Sequence, residues 1–283
     1  MLKFIKSIKN MTIKDNIVNF LLYIRFFILI RLGYGQRKSS KNKLGYDLTF
    51  IDEFNDISWD YDGFNNKWKV GEVFGLYHPD KDNVYYNEPE IVKINNNSYA
   101  RFKVEYKPKV FDNRLIPFAV SLLSTERSFS QQYGRFECRM NLPKEKGTWP
   151  AFWLWGPTWP PEIDIIEAYG KKTGRTVKTQ RSSIWFRKNG KPDNLGSRAI
   201  ELQDTDFHEF AMEWTQKSIK FYTDGILALQ YTNRKKLDGT YNKPNINMWM
   251  VLNHSVQERY VNRKESNYYS EFLVDYVRAY NKI

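Results

Sequence analysis

Six residues in mid-chain, Glu162-Ile163-Asp164-Ile165-Ile166-Glu167, place three carboxyl groups close together. In a regular strand, alternate residues share a face, so Glu162 and Asp164 point the same way while Ile163 and Ile165 point into a core. Glu167 falls on the wrong face unless one extra residue is inserted. A β-bulge at Ile165–Ile166 would supply it and re-aim the side chain. Three carboxyls on one surface repel one another, and one of them then keeps its proton near neutral pH. A carboxylate beside a carboxylic acid is the pair that cleaves glycosidic bonds with retention, which needs the two groups about 5–5.5 Å apart.

The string ExDxxE alone is common, and a solvated acidic face would explain it. Its neighbours argue otherwise. The isoleucines mark a core strand, where stray carboxylates are costly. Just upstream lie Trp149, Trp153, Trp155 and Trp159. The first three are odd-numbered and share a strand face, and a row of indoles suits sugar rings that stack on flat apolar surfaces. Acids and indoles together predict a carbohydrate cleft.

The elements that must position these groups read as strands. YARFKVEY (99–106), YGRFECRMNL (133–142), GTWPAFWLW (147–155), HEFAMEW (208–214), INMWMVLN (246–253) and FLVDYVRAY (272–280) are short β-rich runs between turn residues. In GRFECRM, Phe136, Cys138 and Met140 face one way and Arg135, Glu137 and Arg139 the other, a half-buried strand. Cys138 is thereby a small core residue. TDG at 223–225 joins two such runs as a hairpin. The body carries no long helical period, no repeat and no glycine-rich phosphate loop, so a single all-β domain over 46–283 is predicted. One Cys excludes a disulfide scaffold and three His make a His-rich metal site unsuitable. His208, just before a strand, reads as structural. Arg127 and Tyr133 flank a strand on the predicted cleft side.

Residues 1–43 hold ten Lys or Arg and one Asp, a net +9. The other 240 residues hold 34 basic and 31 acidic residues, a net +3. The body is nearly balanced, which argues against nucleic acid as a partner. The basic excess belongs to an N-terminal segment, 1–45, with IVNFLLYIRFFILIRL at 17–32. That run is apolar but interrupted by Asn19, Arg25 and Arg31. Three readings stay open: an atypical export signal or anchor, a basic helix lying on a membrane through residues 1–35, and a helix packed on the domain. QRKSSKNK (36–43) then reads as an exposed linker.

YGRFECRMNLPKEKGTWPAFWLWG (133–156) followed by EIDIIEAYG (162–170) resembles glycoside hydrolase family 16, on its laminarinase-like side. LTFIDEFND from Leu48 is similar to the family's opening strand, 206–225 to its late strands, and MWMVLNHSV (248–256) and FLVDYVRAY to its closing strands. The resemblance spans nearly the whole body. It implies a jelly-roll β-sandwich of two antiparallel sheets with a concave substrate cleft, and retaining endo-hydrolysis of a β-linked polysaccharide, with β-1,3-glucan first among substrates. Position by position it makes Glu162 the nucleophile, Asp164 the assisting acid and Glu167 the general acid/base. Trp149, Trp153 and Trp159 match aromatics of the sugar subsites. Trp185 stands about where many members carry a His, and Asn253 and His254 lie on a strand expected to touch sugar. Ala168-Tyr169 and NHSV depart from the usual laminarinase pattern and leave galactans such as agar, porphyran or carrageenan as rival substrates. The same motifs are also compatible with transglycosylation and with a non-catalytic glucan-binding module. No cofactor is required; some members hold a structural calcium ion with an Asp at the position of Asp275. A monomer, secreted or held at the cell surface, is expected.

Overall fold

The structure, a computed structural model, describes residues 13–32, 39–72, 75, 77, 84–143, 145–169, 178–188, 190–195, 200–202, 206–232, 244–257, 261 and 267–283. Two stacked sheets form the jelly-roll sandwich. The first runs Glu90–Ile94, Asn97–Phe111, Tyr269–Lys282, Gly134–Met140, His208–Trp214, Ser218–Thr223, Ile226–Thr232, with Tyr46–Asp52 beside the C-terminal half of Tyr269–Lys282. The second runs Lys178–Lys188, Glu162–Tyr169, Thr148–Trp155, Trp249–Val256, Arg114–Ser124, Trp68–Val70. Lys191–Leu195 and Ile200–Leu202 extend it beyond Lys178–Lys188. Arg114–Ser124 is shared: residues 114–120 pair with Asn97–Phe111 in the first sheet and 122–124 with Trp249–Val256 in the second.

The inner faces bury one another. Phe102, Phe136, Met140, Phe210, Met212 and Phe272 from one sheet meet Phe152, Leu154, Ile163, Ile166, Met250 and Leu252 from the other in a common cluster. Cys138 lies fully buried in it, as its strand parity predicts. Burial raises its thiol pKa well above the ordinary value, so it stays protonated. The predicted hairpin forms: Asp224 (φ 50°) and Gly225 (φ 74°) both adopt the left-handed conformation that a tight two-residue turn demands.

The polar face of Gly134–Met140 departs from expectation. Arg135 and Glu137 are buried instead of facing solvent. Arg135 Nε donates to Glu137 (2.9 Å) and its Nη2 to Glu209 (3.1 Å); Tyr280 donates to Glu137 (2.9 Å) and Tyr276 to Glu209 (2.7 Å). Lys43 closes on Glu137 at 3.1 Å, and Arg278 reaches the Ser39 carbonyl at 3.1 Å. Each charge finds an opposite partner, which makes burial tolerable. The 36–43 stretch is therefore not a free linker, because Ser39 and Lys43 dock on this network. Residues 36–38 lie outside the described residues.

The N-terminal helix, Ile13–Arg31, packs on strand Ile226–Thr232. Phe26 enters the core cluster, with Leu29 and Ile30 against it. Asn19 pairs its carboxamide with both backbone groups of Gln230, donating from Nδ2 to the carbonyl and accepting from the amide, each at 2.8 Å. Edge strands carry unpaired backbone groups, and this side chain satisfies two of them.

Candidate active site

The acidic strand Glu162–Tyr169 pairs on one side with Thr148–Trp155 and on the other with Lys178–Lys188, and both registers slip after Asp164. Asp164 faces Trp153, whereas the next pair is Ile166 with Phe152. Ile165 is the inserted residue, as the parity argument requires. The bulge is itself anchored, because Ser182 Oγ donates to the Ile165 carbonyl at 2.7 Å. Ile163, Ile165 and Ile166 are all buried, and Glu162, Asp164 and Glu167 all turn to the opposite face.

The register lays that face out as a grid. One row holds Trp249, Trp155, Glu162 and Trp185; the next Val251, Trp153, Asp164 and Ser183; the next Asn253, Ala151, Glu167 and Arg181. Ala151 presents only a methyl group between Glu167 and Asn253, which leaves the floor low beside the acid.

Each carboxyl has its own setting. Trp159, 41% exposed, donates from Nε1 to Glu162 Oε2 at 2.7 Å. Asp164 is 3% exposed and receives the Ser183 hydroxyl on Oδ2. Burial first, then the negative charges of Glu162 and Glu167, push its pKa well above the carboxylate range, and it hydrogen-bonds Glu162. These surroundings favour its neutral form over an ordinary carboxylate's. Glu167 Oε1 accepts two bonds, from Trp149 Nε1 (3.0 Å) and Tyr169 Oη (2.7 Å). Burial raises its pKa, and those two donors together with the Arg181 charge pull it back. An oxygen that accepts two such bonds is poorly placed to carry a proton, so the transferable proton belongs on Oε2.

The tryptophans fall into two groups. Trp159 and Trp185 stand 5.7 Å apart, centroid to centroid, over Glu162. Trp153 and Trp155 are 5.0 Å apart on the neighbouring strand. Trp149 leans on Tyr169 at 5.6 Å. Asn253 accepts from Trp153 Nε1 at 2.8 Å and so fixes that indole.

His254 does not reach the cleft face. It is fully buried, with Nε2 on Ser270 Oγ (3.1 Å) and its ring edge-on to Phe272. Ser270 donates onward to Glu145 (2.8 Å), so Nε2 is the donor in the first bond. Burial pushes the His254 pKa down to about 3 and the ring stays neutral. Adjacent strand residues point to opposite faces, so Asn253 and His254 could not both meet a sugar. His208 is structural, held by Asp224 at 2.7 Å. Arg127 is bound to the Asp62 carbonyl and stacks on Phe64, and Tyr133 packs on Trp214. Asp275 is ion-paired with Arg139 at 2.6 Å, and among the described residues no cluster of three His, Cys, Asp or Glu could hold a metal ion.

Tyr169, Ser183 and Arg181 are site residues that sequence reasoning passed over. For Tyr169 the signal was present: once the bulge is placed, 167 and 169 share a face. Ser183 and Arg181 become visible only when the register with the next strand is known.

A family model, "Glycosyl hydrolases family 16", matches residues 80–277. The chain is 35% identical over 109 residues to the endo-1,3-1,4-beta-glycanase EglC of Rhizobium meliloti, spanning 38% of this chain but only 23% of that protein. It is 26% identical to the beta-glucanase of Rhodothermus marinus over 90% of this chain and 93% of that one. The laminarinase catalytic domain of Thermotoga maritima superposes with a TM-score of 0.67 at 22% identity, covering 84% of this chain and 99% of that domain. A match over most of the chain, on a two-sheet sandwich with its three acids on one bulged strand, settles the family: the chain belongs to the glycosyl hydrolases of family 16 and is a glycoside hydrolase.

Proposed function

We propose that the chain is a retaining endo-β-glucanase whose preferred substrate is β-1,3-linked glucan. The observation that carries this reading is the bulged strand, with Glu162 and Glu167 on one face at either side of a buried Asp164. The names of the relatives, an endo-1,3-1,4-beta-glycanase and a beta-glucanase, support the substrate class.

Glu162 attacks the anomeric carbon as Glu167 protonates the leaving oxygen from Oε2. A glycosyl-enzyme on Glu162 results, and Glu167, now a carboxylate, takes a proton from the incoming water. Trp149, Tyr169 and Arg181 stabilise that carboxylate between the two steps. Asp164 donates to Glu162, holds it in line, and can follow its changing charge. Trp159 and Trp185 on one side, Trp153 and Trp155 on the other, supply stacking surfaces for sugar rings, which is positioning energy. Polymeric glucans lie outside cells, so the enzyme acts there or at the cell surface.

Reducing-end release from laminarin, mixed-linkage β-glucan, agarose, porphyran and carrageenan tests the reading, with wild type and Glu162→Gln side by side. Release from laminarin, reduced by about 10³-fold or more in the variant, is expected. Release from a galactan alone would overturn the substrate assignment. Tight laminarin binding without release would point to a binding module, and longer products at high acceptor concentration to a transglycosylase.

A further inference from the structure

The N-terminal helix has two apolar stripes and the sandwich uses only one. At 100° per residue, Asn19, Phe26 and Ile30 fall on one side of Ile13–Arg31, the side that meets strand Ile226–Thr232. Ile17, Leu21, Ile24, Ile28 and Leu32 fall on the opposite side, within about 80° of arc. These five are 41–67% exposed. A stripe about four turns long with five large aliphatic residues is far from the scattered single exposures of an ordinary surface.

We infer that this outer stripe seats on an anionic membrane surface, with the helix in the plane of the headgroups and the sandwich held beside it. Charge selects that occupant. The stripe belongs to the segment that carries +9 over residues 1–43 by sequence, of which Lys43 is committed to Glu137, and Arg25 is exposed on the same helix. Anionic lipid attracts such a segment through its basic residues near the surface. A second copy docked through the same stripe would instead bring two strongly basic segments together. Spanning is a different matter: among the described residues no helix is long and apolar enough to cross a membrane. Asn19 and Phe26 are also committed to the sandwich, which leaves one face for lipid. The arrangement combines an apolar face with basic charge, the two contributions that set the strength of interfacial binding.

The test is co-sedimentation of the full chain with vesicles of phosphatidylglycerol or of phosphatidylcholine. The comparison protein is the triple variant Leu21→Gln, Ile24→Gln, Ile28→Gln, which keeps the charge and leaves the inward stripe intact. Wild type is expected to pellet with phosphatidylglycerol and not with phosphatidylcholine, and to be released by high salt. The triple variant should lose about tenfold or more in partitioning at an unchanged thermal midpoint. Equal binding by the triple variant, equal binding to both lipids, or no binding by wild type would overturn the proposal. So would a dimer, by sedimentation velocity, that the triple variant converts to monomer.

Discussion

Asp164 is a carboxyl whose surroundings leave it one comfortable state. It is buried, it accepts the Ser183 hydroxyl, and it faces two further acids. The neutral form is favoured in the folded protein, whereas the unfolded side chain ionises at pH about 3.9. Its folded pKa is raised, so the native state binds the extra proton. Its contribution to stability is then fully present below pH about 4 and is lost as pH rises toward the folded pKa. Asn at this position is neutral at every pH and keeps a hydrogen-bond donor toward Glu162. Asp164→Asn should therefore melt progressively above wild type as the buffer moves from pH 4 to pH 7, by roughly 2–4 °C for each kcal/mol recovered. Turnover should fall about a hundredfold, since Asn cannot follow the charge on Glu162. Parallel melting curves with no pH-dependent gap would show that Asp164 is ionised in the folded protein. Parity along the strand made the acid cluster legible, and the same rule, applied to 253 and 254, would have removed His254 from the site.

At the scale of elements, the bulge and the docked helix are the two devices that a simple strand pattern does not contain. The bulge was inferable because a regular spacing of two cannot bring Glu167 to the face of Glu162 and Asp164. Its anchor, Ser182 on the Ile165 carbonyl, depends on a strand 17 residues further on and was not inferable. The helix was legible as an element, but which of its faces is covered was not, because both are apolar. The two Asn19 bonds decide it, by capping the edge of Ile226–Thr232. Asn19→Ala leaves the Gln230 amide and carbonyl without that partner, a loss of about 1–3 kcal/mol. The expected result is a lower thermal midpoint and faster hydrogen exchange at Gln230, with activity on soluble glucan unchanged. Unaltered exchange at Gln230 would mean that the helix does not hold this edge.

Across the whole molecule, charge is divided among three places. The N-terminal segment holds most of the net positive charge. The first sheet buries Arg135, Glu137, Glu209 and Arg278 as a matched network. The second sheet gathers the acids Glu162, Asp164 and Glu167 on its open face. Alternation predicted that Arg135 and Glu137 would share a face, and they do. Their burial could not be read from the strand alone, because the partners Lys43, Tyr276, Tyr280 and Arg278 arrive from both ends of the chain. On the second sheet the carboxyls of Glu162, Asp164 and Glu167 share one face. Burial together with the charges of the two glutamates raises the pKa of Asp164, while burial raises that of Glu167 and Arg181 pulls it back down.

The roles proposed for Glu162 and Glu167 are tested most directly by chemical rescue. Glu162→Ala is incubated with an activated β-linked oligoglucoside in the presence and absence of sodium azide, and the product is identified by proton NMR. With the nucleophile removed, azide enters from the vacated face, and the account predicts recovered turnover with an α-glycosyl azide as the product. A β-glycosyl azide, or turnover in Glu162→Ala that azide leaves unchanged, would contradict it.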